Sequence, residues 1–172
     1  MLDLKDSPFW KYFSEASPVP QNPAAALAAF TDHAEICRTY FASIPESKAG
    51  SRYAPEKWSV KQVVGHIADC NLVFLYRLVA IARGENQTLP GFDEGVYMAN
   101  SPYEAMSWKA VLESHRGVSQ AAGALLAGLD EAAWSRSGCA AGTRLAPRDL
   151  LGVIIGHERH HIGVLKDRYG IR

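Results

Sequence analysis

The sequence predicts an all-α fold, a four-helix bundle joined by long crossover connections, in one domain spanning residues 1–172. Three observations carry that expectation. Four segments repeat apolar residues at alternating spacings of three and four, the signature of an amphipathic helix packed in a bundle. Start signals open the segments, although Ala146 before the last one is a poor cap. Nowhere does the chain alternate apolar and polar residues long enough for a half-buried strand.

Residues 1–21 carry Phe9, Trp10, Tyr12 and Phe13 on an otherwise irregular arm, which either packs over the bundle or makes a dimer contact. Asn22-Pro23 supplies an N-cap and a first-turn proline for a helix over about 23–44. Its seam is Leu27, Phe30, Ala34, Cys37, Phe41 and Ile44; His33 falls off that seam, on the solvated side. Residues 45–58, with Pro45, Gly50 and Pro55, form a connection. Ser59-Val60-Lys61-Gln62 is a capping box with Trp58 and Val63 as its hydrophobic staple, opening a helix over about 59–83 that Gly84 ends. Val60, Val63, Ile67, Cys70, Phe74 and Leu78 form its stripe, with His66 at the edge, one turn from Cys70.

Residues 85–100 contain Pro90-Gly91-Phe92-Asp93-Glu94 and are too long for a tight hairpin, so they cross the bundle or shape a pocket. Ser101-Pro102-Tyr103-Glu104 reads as a second capping box, opening a helix over about 102–128. Trp108, Leu112, His115, Ala122, Leu126 and Leu129 line its inner face. His115 is assigned to the core, because no histidine or carboxylate stands one turn away. Residues 130–146 form a Gly- and Ala-bearing connection without strand alternation, and Pro147 begins a last helix over about 147–168. Asp149 in its first turn suits the helix dipole.

Eighteen basic and eighteen acidic residues cancel without a basic stripe, which argues against a nucleic-acid partner. The N-terminus has mixed charge and no apolar core, unlike a signal peptide. The most apolar span, Val63 to Ala82, is interrupted by His66, Asp69, Asn71 and Arg77, too many polar groups for a membrane helix. Cys37, Cys70 and Cys139 are odd in number and lack CxxC spacing, the pattern of reduced thiols in the cytoplasm.

Chemistry concentrates in Gly156-His157-Glu158-Arg159-His160-His161. At about 100° per residue, Leu150, Ile154, His157, His161 and Val164 share one helix face. Two imidazoles on a face due for burial are costly unless occupied, since burial disfavours the charged ring and the neutral ring still needs partners. A metal ion resolves both problems, and His66 supplies the third ligand. Three histidines from two helices leave a position open for water or substrate. Nitrogen donors favour one divalent transition ion, zinc or nickel, over calcium or magnesium. Such an ion lowers the pKa of bound water or activates a thiol.

His160 lies about 60° from His157 on the helix flank, beside the ligands or lining a pocket. The segment also fits the H-E-x-x-H pattern of zinc metalloproteases, with Glu158 as base. Those enzymes usually find a third ligand downstream, and the eleven residues after His161 hold no His, Glu or Cys. Glu158 therefore reads as a supporting residue that orients a ligand or pairs with Arg159 or Arg168, and as a catalytic candidate only second.

Four segments, in this order and spacing across residues 57–169, resemble the DinB superfamily and its YfiT-like metal-binding branch. They are Trp58-Ser59-Val60-Lys61-Gln62-Val63-Val64-Gly65-His66-Ile67-Ala68-Asp69, then Leu78 to Glu85, then Leu89 to Glu94, then Gly156 to His161 with Arg168-Tyr169. The resemblance implies an up-down-down-up bundle, often a homodimer, with a metal held by one histidine of the second long helix and an HxxxH pair of the fourth. Those roles fall on His66, His157 and His161. Relatives tend to be apolar at His115 and acidic at Asn71, two points of departure. Family members include thiol-dependent S-transferases and isomerases that use bacillithiol or mycothiol, and metal-dependent hydrolases. The expected partner is accordingly a small-molecule substrate or a low-molecular-weight thiol. The alternative is a non-catalytic, metal-stabilised bundle with a stress or interaction role, which a fourth protein ligand would mark.

Overall fold

The computed structural model describes residues 1–16 and 19–172; of the N-terminal arm, Ser17 and Pro18 lie outside the described residues. The chain runs through α1 (Trp10–Glu15), α2 (Pro23–Ser43), α3 (Glu46–Ala49), α4 (Val60–Ala82), α5 (Glu94–Ala99), α6 (Trp108–Leu126) and α7 (Glu131–Ser135). A hairpin of β1 (Gly138–Ala140) and β2 (Thr143–Leu145) precedes α8 (Pro147–Tyr169). The long helices start where side chains satisfy their free N–H groups. Asn22 Oδ1 accepts from the Ala25 N–H at 2.8 Å, and Ser59 and Gln62 form the reciprocal capping box. Ala146 offers no side-chain cap, but Asp149 reaches back to its N–H at 2.8 Å. Gly84 and Gly170 take positive φ, 86° and 66°, and close α4 and α8.

Helix α4 packs on α6 and α8, and α2 packs on the same two from the other side, so consecutive long helices α2 and α4 are diagonal. Three bonds fix the directions. Tyr40 Oη donates to the Ile171 carbonyl, so α2 and α8 end together. Tyr169 Oη donates to the Trp58 carbonyl, joining the end of α8 to the start of α4. Trp108 Nε1 donates to the Ile44 carbonyl, joining the start of α6 to the end of α2. The result is an up-down-down-up bundle whose first and last long connections cross a diagonal, which is why they are long.

Two expected boundaries move. The third long helix starts at Trp108, where Ser107 Oγ accepts from the Ala110 N–H, and not at Pro102. Residues 101–104 are turns instead, because Tyr103 has a better use. Its ring lies on Gly65 so closely that a Cβ there would come within 2.3 Å, and its hydroxyl donates to Asp69 at 2.6 Å. The connection 130–146 does contain strands. Each is three residues long, too short for alternation to register, and the turn between them uses Ala141 and Gly142 at φ 48° and 77°. Leu2 and Leu89 bridge to this hairpin by backbone bonds of 2.9–3.0 Å, so the arm and the 85–93 connection are knitted together at one end of the bundle.

The aromatic arm packs over the bundle. Helix α1 lies on α8 at Gly152 and Gly156, where added Cβ atoms would come within 2.6 Å of Phe13 and 1.7 Å of the Tyr12 carbonyl oxygen. By length and composition α4 could cross a membrane, yet 67% of its most apolar window is buried inside this bundle.

The apolar core divides in two. One half holds Phe30, Phe74, Leu78, Leu126, Leu150 and Ile154; the other holds Phe41, Val63, Ile67, Val111, Ile162 and Leu165. Apart from Arg77 on α4, the buried polar residues of the long helices fall between the two halves: His33 on α2, His66 and Asn71 on α4, His115 on α6, His157 and Glu158 on α8. A polar layer thus crosses the waist of the bundle.

Candidate metal centre

The i, i+4 spacing of His157 and His161 puts both rings on the α4 side of α8, and α4 returns His66 from the antiparallel direction. His157 Nε2 lies 3.2 Å from His66 Nε2 and 3.1 Å from His161 Nε2. Metal–nitrogen bonds of about 2.0–2.1 Å in a tetrahedron place ligand nitrogens roughly 3.3 Å apart. The rings lie steeply inclined to one another: 76° between His157 and His161, 78° between His66 and His161, and 60° between His66 and His157. Tyr12 packs edge-on against His157 at 4.9 Å, and Trp58 lies 4.8 Å from His66, so both rings are held in place.

Burial makes this arrangement an awkward one for histidines alone. His66 and His157 are 4% and 1% exposed. Burial pulls the His66 pKa down to about 4. Burial, joined by repulsion from His66, pulls His157 down to about 3. His161 is pushed down for the same reasons, burial foremost. Three neutral imidazoles then turn Nε2 atoms at one another, while Nδ1 of His157 and of His161 are buried without a partner. A cation at the convergence point would satisfy the three Nε2 lone pairs together and fix the protons on Nδ1. The donor set fits the group.

Among the described residues, two sets of possible ligand atoms lie mutually close: these three histidines, and His33, Cys37 and Glu158, which are already bonded to one another. Cys70 Sγ is 3.6 Å from His66 Nδ1 but belongs to no such set, and burial raises its thiol pKa well above the ordinary value. His160 lies outside the convergence point. It faces Glu15 at 3.3 Å and Lys11 at 3.4 Å, fastening α8 to α1, so it helps build the wall of the site.

Glu158 points elsewhere, into a second buried cluster. His33 Nε2 donates to its Oε2 at 2.8 Å, His115 Nε2 to Oε1 at 2.7 Å, and Asn71 Nδ2 to Oε1 at 2.9 Å. Burial pushes the carboxyl pKa up, but bonds and charge from His115 and His33 outweigh it and hold the group below the usual carboxylate range. The expected arginine pairing is therefore replaced by two histidines and an amide. His33, expected to be solvated, is buried. The seam of α2 runs Ala26, Phe30, His33, Cys37 and Phe41, because a histidine with a buried carboxylate partner can occupy an apolar face. His115 is buried as expected, and the carboxylate it pairs with comes from α8, out of reach of a one-turn search.

A cleft of about 320 Å³ reaches His157, lined also by Tyr12, Cys70, Phe74, Arg77 and Phe92. Arg77, read from sequence only as an interruption of an apolar run, is 2% exposed. Its guanidinium lies 5.5–5.8 Å from the ring centroids of Phe9, Phe74 and Phe92. Nη2 donates to the Pro90 carbonyl at 2.7 Å, while Nη1 has no partner. Cation–π contacts of this kind are worth about 0.5–2 kcal/mol each, against a burial cost of several kcal/mol for an unpaired ion.

The sequence model described as the DinB superfamily matches residues 15–165. Among solved structures, YfiT from Bacillus subtilis, described as a probable metal-dependent hydrolase with an unusual four-helix bundle topology, superposes with a TM-score of 0.70 at 19% identity, covering 86% of this chain and 89% of that one. A mycothiol-dependent maleylpyruvate isomerase superposes with a TM-score of 0.61 at 15% identity, covering 95% of this chain and 62% of the other. No curated protein matches the sequence.

Proposed function

The chain belongs to the DinB superfamily, and from that premise we propose that it is a metal-dependent enzyme transferring a low-molecular-weight thiol to or from a small electrophile. His66, His157 and His161 would hold one divalent transition ion, zinc or nickel. When bound, such an ion acidifies a thiol that reaches its open position and so supplies a nucleophile at neutral pH. The observation that carries the reading is the convergence of three Nε2 atoms, two on buried rings and one on the half-buried His161, with a cleft that reaches His157 and no fourth protein ligand in the set among the described residues. An open side suits turnover; a structural ion is normally closed by four ligands.

Thiol transfer is favoured over hydrolysis by the placement of Glu158. A hydrolase needs a base close to the attacking water, and this carboxylate is engaged by His33, His115 and Asn71. The chain's own residues supply the rest. Burial keeps the three imidazoles neutral and ready to coordinate. Tyr12 and Trp58 hold the rings, and Phe74 and Phe92 keep the cleft apolar, which excludes water from a nucleophile. The relatives' descriptions, one a probable hydrolase and one thiol-dependent, span the same two chemistries. We place the protein in the cytoplasm as a homodimer, supported by its unpaired cysteines and by Leu72 and Tyr76 exposed on α4.

Elemental analysis of the purified protein, followed by an electrophile-conjugation assay with bacillithiol or mycothiol, tests the reading. One ion per chain and thiol-dependent turnover that chelation abolishes are expected. Full metal occupancy in His66→Ala, or hydrolysis of the electrophile without thiol, would overturn it.

A further inference from the structure

The cleft that reaches His157 contains a buried cation for which the fold provides no anion. Arg77 lines it, buried at 2% exposure, and no carboxylate among the described residues pairs with it. One edge of the guanidinium is held by the Pro90 carbonyl, and Nη1 is left without a partner. Guanidinium stays protonated in proteins, so the charge persists. Resting on the reading of the histidines as the reaction centre, we propose that Arg77 recognises a carboxylate on the small-molecule substrate.

Three features select that chemistry. The planar fork matches a carboxylate. The ring shell of Phe9, Phe74 and Phe92 accepts a flat apolar body next to the charged group. Lys11 and Glu94 also line the cleft and offset each other in charge, so Arg77 leaves it a single net positive charge, which matches a monocarboxylate better than a doubly charged phosphate. Nη1 is sealed beneath the shell, so the ligand reaches it by displacing a ring. Phe92 is the ring that moves, because it is half-buried on the connection between α4 and α5, whereas Phe74 is fixed in α4. A substrate so held has its acid at Arg77 and its body along the wall that ends at His157.

Phenylacetate is the probe and phenylacetamide its neutral control, with binding followed by calorimetry on wild type, Arg77→Met and the metal-depleted His66→Ala. The acid should bind wild type and His66→Ala with Kd values within about threefold of each other. Losing one charged hydrogen bond should raise Kd about 10- to 100-fold, both for the amide and for Arg77→Met. Should Arg77→Met fail to fold, guanidinium NMR of wild type decides, with the Arg77 signal assigned through Arg77→Lys: the acid must shift it and the amide must not. Equal affinity of acid and amide, equal affinity of Arg77→Met, an unmoved Arg77 signal, or binding that disappears in His66→Ala would each overturn the proposal. Metal content of the same samples separates the two readings. Metal-free wild type that still binds phenylacetate through Arg77 sinks the reaction centre alone.

Discussion

Replacing Glu158 with glutamine removes one negative charge from the middle of the polar layer while keeping the side chain's shape. The carboxylate receives bonds of 2.7, 2.8 and 2.9 Å from His115, His33 and Asn71, and it is 1% exposed. An amide offers one oxygen to these donors, and its own NH2 must face at least one of them. Hydrogen bonds to a charged group are worth about 1.5–3 kcal/mol, and breaking a buried pair from one side costs about 3–5 kcal/mol. A loss of about 4 kcal/mol follows. For a chain of this size each kcal/mol shifts Tm by roughly 2–4 °C, so thermal unfolding of the metal-loaded variant should begin about 10 °C or more below wild type. Elemental analysis of the same sample should show the metal retained, because Glu158 does not belong to the convergent set. Transferase activity should stay above about a tenth of wild type, since general-base help is worth roughly 10²–10⁴-fold where it is used. A Tm within about 2 °C of wild type would refute the account of the cluster. Loss of activity beyond about a hundredfold with metal still bound would make Glu158 the base of a hydrolase.

His161→Ala should lose most of the metal and His160→Ala should keep it, measured by elemental analysis; the reverse result would mean that the phase of α8 is misread. His33→Ala should also keep the metal, because His33 serves Glu158 on the far side of the layer. The metal-free protein should lose stability in mild acid. His66 is depressed when folded, from 6.5 to about 4, so its contribution is complete above pH 6.5 and is lost as pH falls toward 4. At pH 5 the loss from this group is about 2 kcal/mol, readable as a falling Tm that added zinc opposes; a flat Tm between pH 7 and 5 would contradict it. Gly156→Ala should free the arm, since its Cβ would come within 1.7 Å of the Tyr12 carbonyl oxygen. Overpacking of this kind costs about 1–3 kcal/mol, and the check is faster proteolytic cleavage near residues 10–15, with unchanged cleavage counting against it.

The helices and the three converging histidines were legible because each rests on local pattern. Asn22-Pro23, the Ser59–Gln62 box and the four-residue step from His157 to His161 are written within single turns, and His66 stands beside a clear apolar stripe. What stayed hidden depends on partners distant in sequence. Ser101-Pro102-Tyr103-Glu104 has the form of a capping box, but Tyr103 is drawn onto Gly65 and Asp69, and the helix waits for Ser107. The hairpin at 138–145 is too short for a period, and Leu2 and Leu89, which complete it, lie far away along the chain.

His33 shows the limit most clearly. Hydrophobicity alone assigns it to solvent, and only a carboxylate 125 residues later makes its burial affordable. The same reasoning joins the two clusters of the waist. Glu158 and His157 are neighbours on α8, about 100° apart. One turns to His33 and His115 on α2 and α6, the other to His66 on α4. The charged cluster thus anchors α8 rotationally against α2, α6 and, through Asn71, α4 itself, and that anchoring sets the direction in which His157 and His161 face α4. A polar layer that costs stability in its separate parts thereby fixes the register in which the three imidazoles meet.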